Sequence, residues 1–222
     1  MPYHFPDPES ARPDGLLAAG GDLEPETLLQ AYSQGIFPWY SEGSPILWWS
    51  PDPRMIFFPG EMHISHSLQQ TLRSGKYRCT MDEAFDEVIG HCARIPRKDQ
   101  QGTWITEEMQ AAYIRLHELG YAHSVETWHE GKLVGGLYGV SLGRAFFGES
   151  MFHLMRDASK TALWHLTRWC REKGFSLIDA QMPTTHLKSM GAREISRKDF
   201  LKMLKESLSH PTLRGKWKCS HP

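Results

Sequence analysis

Three strand-like stretches, HSVETW from His123, KLVGGLYGVSL from Lys132 and RAFFGES from Arg144, follow one another with only a Glu130 and Gly131 turn and Gly143 between them. Connections this short join neighbours head to tail, so the three form an antiparallel meander, the piece of the chain around which everything else must be arranged. Helical patterns surround it. Ser65 to Ser74 reads as a helix ending before Gly75, and Tyr77 to Thr80 as extended. TMDE at Thr80 to Glu83 fits a capping box opening a helix with Phe85, Val88, Ile89 and Cys92 on its apolar stripe. Thr106 caps a helix carrying Met109, Ala112, Tyr113 and Leu116 on one face and ending at Gly120, and Ala158 to Lys173 turns Leu163, Leu166 and Cys170 inward. SLIDAQ is a further strand, and Ser196 caps a last helix over Arg197 to Leu208. Helices bracketing a central, largely antiparallel sheet make an α+β fold.

The first part of the chain reads differently. Residues 1–53 are dense in Gly, Pro and aromatics, with one clear helix over Pro25 to Gln34, and Pro51 and Pro53 place a boundary near Arg54. We therefore expect a small, acidic, loop-rich domain over 1–53 and a larger domain over 54–222. Charge divides along the same line. Up to Asp52 there is one base, Arg12, against eight acids, which leaves 24 bases and 18 acids in the remainder although the whole chain carries a net charge of -1. Arg73, Lys76 and Arg78, Arg94, Arg97 and Lys98, and Arg193, Arg197, Lys198, Lys202, Lys205, Lys216 and Lys218 could neutralise phosphates or simply be solvated helix faces.

Several classes of function are disfavoured. No apolar run approaches the roughly 20 residues that cross a bilayer, and MPYHFPDPES has neither a basic nor an apolar leader region, so a cytoplasmic protein with no membrane partner is expected. Four scattered cysteines form no CxxC pair and read as reduced packing residues. LVGGLYG lacks GxGxxG spacing, and Gly135, Gly136 and Gly139 suit a strand bulge or the close approach of a substrate. His63 and His66 in HISH have no third ligand at metal-site spacing, so no metal is expected. No elbow nucleophile or Walker lysine is present, which argues against covalent catalysis.

What remains is a pair of acids at strand ends, Glu149 in FGESMF and Asp179 in SLIDAQ, with Gln181 two residues beyond Asp179 and on the same face. A carboxylate among Leu177, Ile178 and Ala180 is costly unless a polar or cationic group meets it. Either it serves chemistry, or it caps a helix or closes a salt bridge. Together with apolar neighbours and the exposed-looking Trp39, Trp48, Trp49 and Trp104, such a set suits transfer of an already activated acyl group to an amine.

GLLAAGGDL, AYSQGIFPWY, ILWWSPDPR, GTWIT, LVGGLYGV, FGESMF, DASKTAL and LIDAQ, in unbroken order over nearly the whole chain, resemble the bacterial leucyl/phenylalanyl-tRNA protein transferase family. The resemblance implies a small N-terminal domain followed by an N-acetyltransferase-like catalytic domain. It implies transfer of Leu or Phe, and possibly Met, from aminoacyl-tRNA to the N-terminal Arg or Lys of an acceptor protein, creating an N-degron for proteolysis. It further implies that Asp179 and Gln181 hold the acceptor α-amine and that Glu149 contacts the acceptor. Trp39, Trp104 and Tyr113 would contact the terminal adenosine of the tRNA, and Leu137, Phe146, Leu163, Leu166 and Ile178 would wall the amino-acid pocket. No cofactor is implied, because the aminoacyl ester supplies the driving force. Two rivals remain: a coenzyme-A-dependent N-acetyltransferase, although no R/QxxGxG/A loop is found, and a non-catalytic RNA-binding module.

Overall fold

The computed structural model describes residues 3–95 and 105–219. Two sheets organise them. A three-stranded antiparallel sheet in the order β1-β3-β2 comprises β1 (Leu16–Ala19), β2 (Phe37–Pro38) and β3 (Leu47–Trp49), with α1 (Pro25–Ser33) between β1 and β2. The N-terminal part is thus less loop-rich than its composition suggests. Strands of two to four residues have no readable alternation, and only the pairing partner makes them strands.

The larger sheet has seven strands: β4 (Arg54–Phe57), β5 (Arg78–Met81), β6 (Ala122–His129), β7 (Lys132–Leu142), β8 (Ala145–His153), β9 (Leu177–Gln181) and β10 (Arg193–Ile195). Their order is β10-β4-β9-β8-β7-β6-β5. The meander expected from the short turns is β6-β7-β8, antiparallel throughout. A single pairing is parallel, β8 with β9, and it covers only Ala145 with Leu177, Phe146 with Ile178 and Phe147 with Asp179. Beyond Phe147 and Asp179 the two strands diverge.

Helices cover both faces. On one side α1, α3 (Phe85–Arg94), α4 (Glu107–Glu118) and α7 (Arg197–Leu208) bury Leu28, Val88, Met109 and Phe200 in a core that also takes in Trp48 of the small sheet. On the other, α2 (His66–Arg73) and α5 (Ala158–Glu172) bury Leu68, Leu163 and Leu166 together with Trp217 from the C-terminal segment. A one-turn helix, α6 (Thr185–Ser189), follows β9. Trp48, expected at the surface, is fully buried and donates its Nε1–H to the Gly20 carbonyl at 2.8 Å.

Local chemistry explains most helix starts. Ser65, Thr106 and Ser196 each accept a backbone N–H from three residues on, at 3.3, 3.2 and 3.0 Å, satisfying donors that the first turn leaves open. Thr80 does not act this way. It lies in β5, and its hydroxyl donates to the buried Glu126 carboxylate at 2.5 Å, while α3 starts after Ala84 without a side-chain cap. Thr80 and Glu83 have capping-box spacing, but the Glu83 N–H that a cap would accept goes to the buried Glu126 carboxylate at 3.5 Å, and the Thr80 oxygen accepts from Trp128 Nε1–H at 2.8 Å.

Gly139 marks a register shift in the β7–β8 pairing. A Cβ at Gly139 would lie 2.1 Å from the Phe147 carbonyl oxygen, so only glycine allows the strands this close. Gly135 serves packing too, since its Cβ would fall 2.5 Å from that of Ala158 at the start of α5, leaving no room there for a substrate.

A buried ion pair reinforces the backbone pairing of the neighbouring strands β4 and β9. Arg54 of β4 donates Nε–H and Nη2–H to Asp179 of β9 at 2.9 and 2.7 Å, with both residues fully buried. The guanidinium lies over the rings of Phe37 and Phe200 at 4.9 and 4.5 Å. A bidentate fork is the geometry in which a desolvated charge pair best offsets its desolvation cost. Asp179→Ala should therefore lower stability by about 3–5 kcal/mol in denaturant unfolding, because Arg54 is left uncompensated. The double substitution Arg54→Met with Asp179→Leu should recover much of that loss, and equal losses in the single and double variants would contradict this account.

Candidate active site

The apolar slot expected from sequence is present, and the divergence of β8 from β9 opens it. A cavity of about 120 Å³ is walled by Leu137, Phe146, Leu163, Leu166 and Ile178, all five of the predicted side chains. Phe57, Met151 and Leu187 also line it. Sequence reasoning missed these three. Met151 follows Glu149 by two residues and could have been found by strand alternation; Leu187 sits on α6, whose single turn carries no periodic signal.

Glu149 borders the cavity with 8% of its surface exposed, and three side chains from distant parts of the chain converge on it. Tyr32 of α1 donates to Oε1 at 2.7 Å, Tyr113 of α4 to Oε2 at 3.1 Å, and Gln181 donates Nε2–H to Oε1 at 2.7 Å. The Tyr32 and Tyr113 hydroxyls are also hydrogen-bonded to each other. Burial dominates the electrostatics and pushes the Glu149 carboxyl up from its usual 4.5 to about 7, against the lowering effect of its three donors; the nearby Asp179 charge raises it further. Burial likewise drives both phenols well above the usual 10, followed by the repulsion of Glu149, so they remain protonated donors.

Two sequence expectations change here. Asp179 borders the cavity, but its carboxylate is taken up by Arg54 instead of being left for an amine. Ile178 joins the core on the slot side, whereas Leu177 joins the other core. Both Asp179 oxygens are engaged by Arg54, and Oδ1 also accepts the Gln181 backbone N–H at 2.9 Å. With no surface exposed and both oxygens occupied, this carboxylate cannot itself receive an amine. Its effect on the site is indirect. Gln181 has φ of 62°, a left-handed conformation uncommon for a residue with a side chain, and the bond from its N–H to Asp179 holds that turn where the amide can reach Glu149.

Tyr113 is the second change, since its ring is fully buried and its hydroxyl faces Glu149 and Tyr32, so it has no free face for a base to stack on. Trp39 is half-buried on the small sheet, 5.5 Å from the Trp49 ring, and does not line the cavity. Trp104, Arg97 and Lys98 lie outside the described residues. Among the basic residues, Arg73, Lys76 and Arg78 are exposed, whereas Arg197 is buried and donates to the Ser50 carbonyl at 2.7 Å, which removes it from any phosphate surface.

The start of α5 carries Asp157 in a left-handed conformation at the helix N-terminus. Its carboxylate is paired with Lys160 at 3.3 Å and Arg156 at 3.6 Å. Among the described residues no group of His, Cys, Asp and Glu is arranged to hold a metal ion, and no helix is long and apolar enough to cross a membrane.

The family model described as leucyl/phenylalanyl-tRNA protein transferase matches residues 56–205, and the model for the N-terminal domain of the same family matches residues 21–52. The leucyl/phenylalanyl-tRNA--protein transferase of Anaeromyxobacter sp. (strain K) is 60% identical over 213 residues, covering 96% of this chain and 91% of that protein. The same-named protein of Nitrosomonas europaea is 60% identical over 215 residues, covering 96% and 91%. That of Legionella pneumophila (strain Corby) is 56% identical over 215 residues, covering 97% and 96%. Among solved structures, L-PGS from Bacillus licheniformis aligns at 14% identity with a TM-score of 0.40, covering 87% of this chain and 64% of that one. With matches of this extent along both its parts, the chain belongs to the leucyl/phenylalanyl-tRNA protein transferase family and is an aminoacyltransferase.

Proposed function

We propose that the slot between β8 and β9 holds the side chain of Leu or Phe esterified to tRNA, and that Glu149 with Gln181 receives the N-terminal amine of an acceptor protein beginning with Arg or Lys. The observation that carries this is the position of Glu149, a carboxyl raised to about 7, bordering a predominantly apolar cavity with three neutral side-chain donors converging on it. An α-ammonium ion loses its proton near pH 7.7 to 8.0. A carboxyl with a pKa of about 7 is close to half ionised at neutral pH, and its ionised form can accept a proton from an amine that attacks in the neutral state. The neutral amine nitrogen attacks the ester carbonyl and gives one proton to Glu149 as the new C–N bond forms, and the ribose oxygen takes up a proton as its C–O bond breaks. The ester is the activated species, so nothing in this sequence of events calls for ATP or an acyl-enzyme.

The residues divide the work. Gln181 uses its N–H on Glu149, which leaves its carbonyl oxygen to align the incoming amine. Asp179 is a positioning residue acting through the Gln181 backbone. A negative Glu149 favours a cationic first residue, while the slot selects for apolar side chains of the size of Leu or Phe by modest factors only. Trp39 offers a half-buried ring for the terminal adenosine, and the exposed Arg73, Lys76 and Arg78 supply phosphate contacts that do not depend on sequence. The product would carry a destabilising N-terminal residue in the cytoplasm. Residues 1–53 act in this reading as a small domain that completes the site by contributing Tyr32.

Glu149→Gln should lower turnover by about 10²- to 10⁴-fold, the range general-base catalysis supplies. In the unsubstituted enzyme the rate should rise through pH 7 as Glu149 loses its proton, and this limb should vanish in Glu149→Gln. Near-normal turnover of that variant with leucyl-tRNA and a peptide beginning with Arg would remove Glu149 from the chemistry. Trp39→Ala should raise the concentration of aminoacyl-tRNA needed for half-maximal rate; an unchanged dependence would exclude the stacking role.

A further inference from the structure

Glu149, Tyr32 and Tyr113 make three mutual contacts: Tyr32 to Oε1, Tyr113 to Oε2, and one hydroxyl to the other. Each phenol has one proton to donate. When Glu149 is ionised, two protons must serve three contacts, and one oxygen pair faces another with nothing between. When Glu149 is neutral, three protons serve three contacts. Oε2–H donates to one phenol, that phenol to the other, and the second phenol to Oε1, where Gln181 also donates. Every donor and acceptor is then satisfied in a largely buried site, where an unsatisfied contact would be costly.

We infer that Tyr32, Tyr113 and Glu149 act as one closed ring with Tyr32 as a positioning residue, and that the ring receives its third proton from the acceptor amine and returns it to the departing ribose oxygen. The inference rests on the function proposed above and deepens it. For a neutral amine the balance is complete: nitrogen loses one proton as the C–N bond forms, and the 3′ or 2′ oxygen gains one as the C–O bond breaks. The ring holds that proton between the two events, and its neutral state is the better hydrogen-bonded one. Tyr32 comes from α1, so the N-terminal part of the chain contributes directly to proton handling.

The groups facing the ring are few. Asp179 of β9 adds negative charge but is neutralised by Arg54 of β4, and Tyr138 of β7 lies beside Tyr113 with its ring 5.7 Å away. Opening the ring should therefore have an effect whose direction differs from that of removing an ordinary donor. In Tyr32→Phe, Tyr113 and Gln181 can both donate to an ionised Glu149 with no contact left without a proton, so the ionised form gains. Tyr113→Phe is equivalent, with Tyr32 as the remaining phenol donor. In the double variant only Gln181 donates, and burial of the charge prevails.

The test is a pH titration of the full chain labelled with ¹³C at the glutamate carboxyl, read by NMR, with Glu149→Gln identifying the Glu149 resonance. Expected is a downward shift of the Glu149 midpoint by about half a pH unit or more in Tyr32→Phe and in Tyr113→Phe, and an upward shift in the double variant. An upward shift or no shift in the single variants would overturn the ring and leave the phenols as independent donors. Tyr113→Phe keeps the question open to measurement should Tyr32→Phe fail to fold. The readout does not use activity, so it is separable from the proposed chemistry. Normal turnover by Glu149→Gln would refute the role of Glu149 in transfer, whereas the titration alone decides whether the ring exists.

Discussion

The short parallel pairing of β8 with β9 governs the rest of the molecule. In an antiparallel sheet continuous ladders leave no gap between neighbours, but here three residue pairs hold the strands together and the ladder then stops at Phe147 and Asp179. Gly148, Glu149, Ala180 and Gln181 consequently stand on strands that are parting, where side chains and backbone from both can border a common space. The apolar residues that would fill such a gap in a closed sheet, Phe146 and Ile178 among them, become the walls of a slot instead. The same divergence lets Gln181 leave the extended conformation and reach across to Glu149.

A site of this kind places acids where they are expensive, and the protein handles its two differently. Asp179 is buried with a bidentate cationic partner, which makes it a fixed anchor for the Gln181 turn. Glu149 is buried with neutral donors only, which leaves it near the balance between charged and neutral forms. The difference has a thermodynamic sign. Because the folded-state pKa of Glu149 is raised from 4.5 to about 7, the fold is most stable with this group neutral, and its contribution falls as pH rises through that interval by about 1.4 kcal/mol per unit. A group that works at neutral pH is thus held in a state that weakens the fold, with Arg54 and Asp179 supplying rigidity next to it.

Much of this architecture was legible in residue order. Short turns at Glu130 and Gly131 and at Gly143 required the meander, and hydroxyl caps at Ser65, Thr106 and Ser196 marked helix starts that the structure keeps. These features are local, set by chain geometry over a few residues. The pocket walls and the acids were legible in another way, through a series of motifs that resemble one family. The three strands of the small sheet were not readable, and neither were α6 and β10, because short elements get their stability from partners distant in sequence. Thr80 shows the limit most clearly: a well-formed local signal lost to an acid 46 residues away.

The sequence by itself determined that the chain makes an α+β fold, which of its segments are strands and helices over most of its length, and which side chains are apolar enough to wall a slot. Only the tertiary structure decided which acid is available for chemistry. From residue 179 alone, a salt bridge and a catalytic role were both open, and the answer lay 125 residues away in Arg54. Equally, nothing near Glu149 in sequence announces Tyr32, 117 residues distant. The charge state of a buried acid depends on the groups that surround it in space, and that neighbourhood exists only once the strands have found their order.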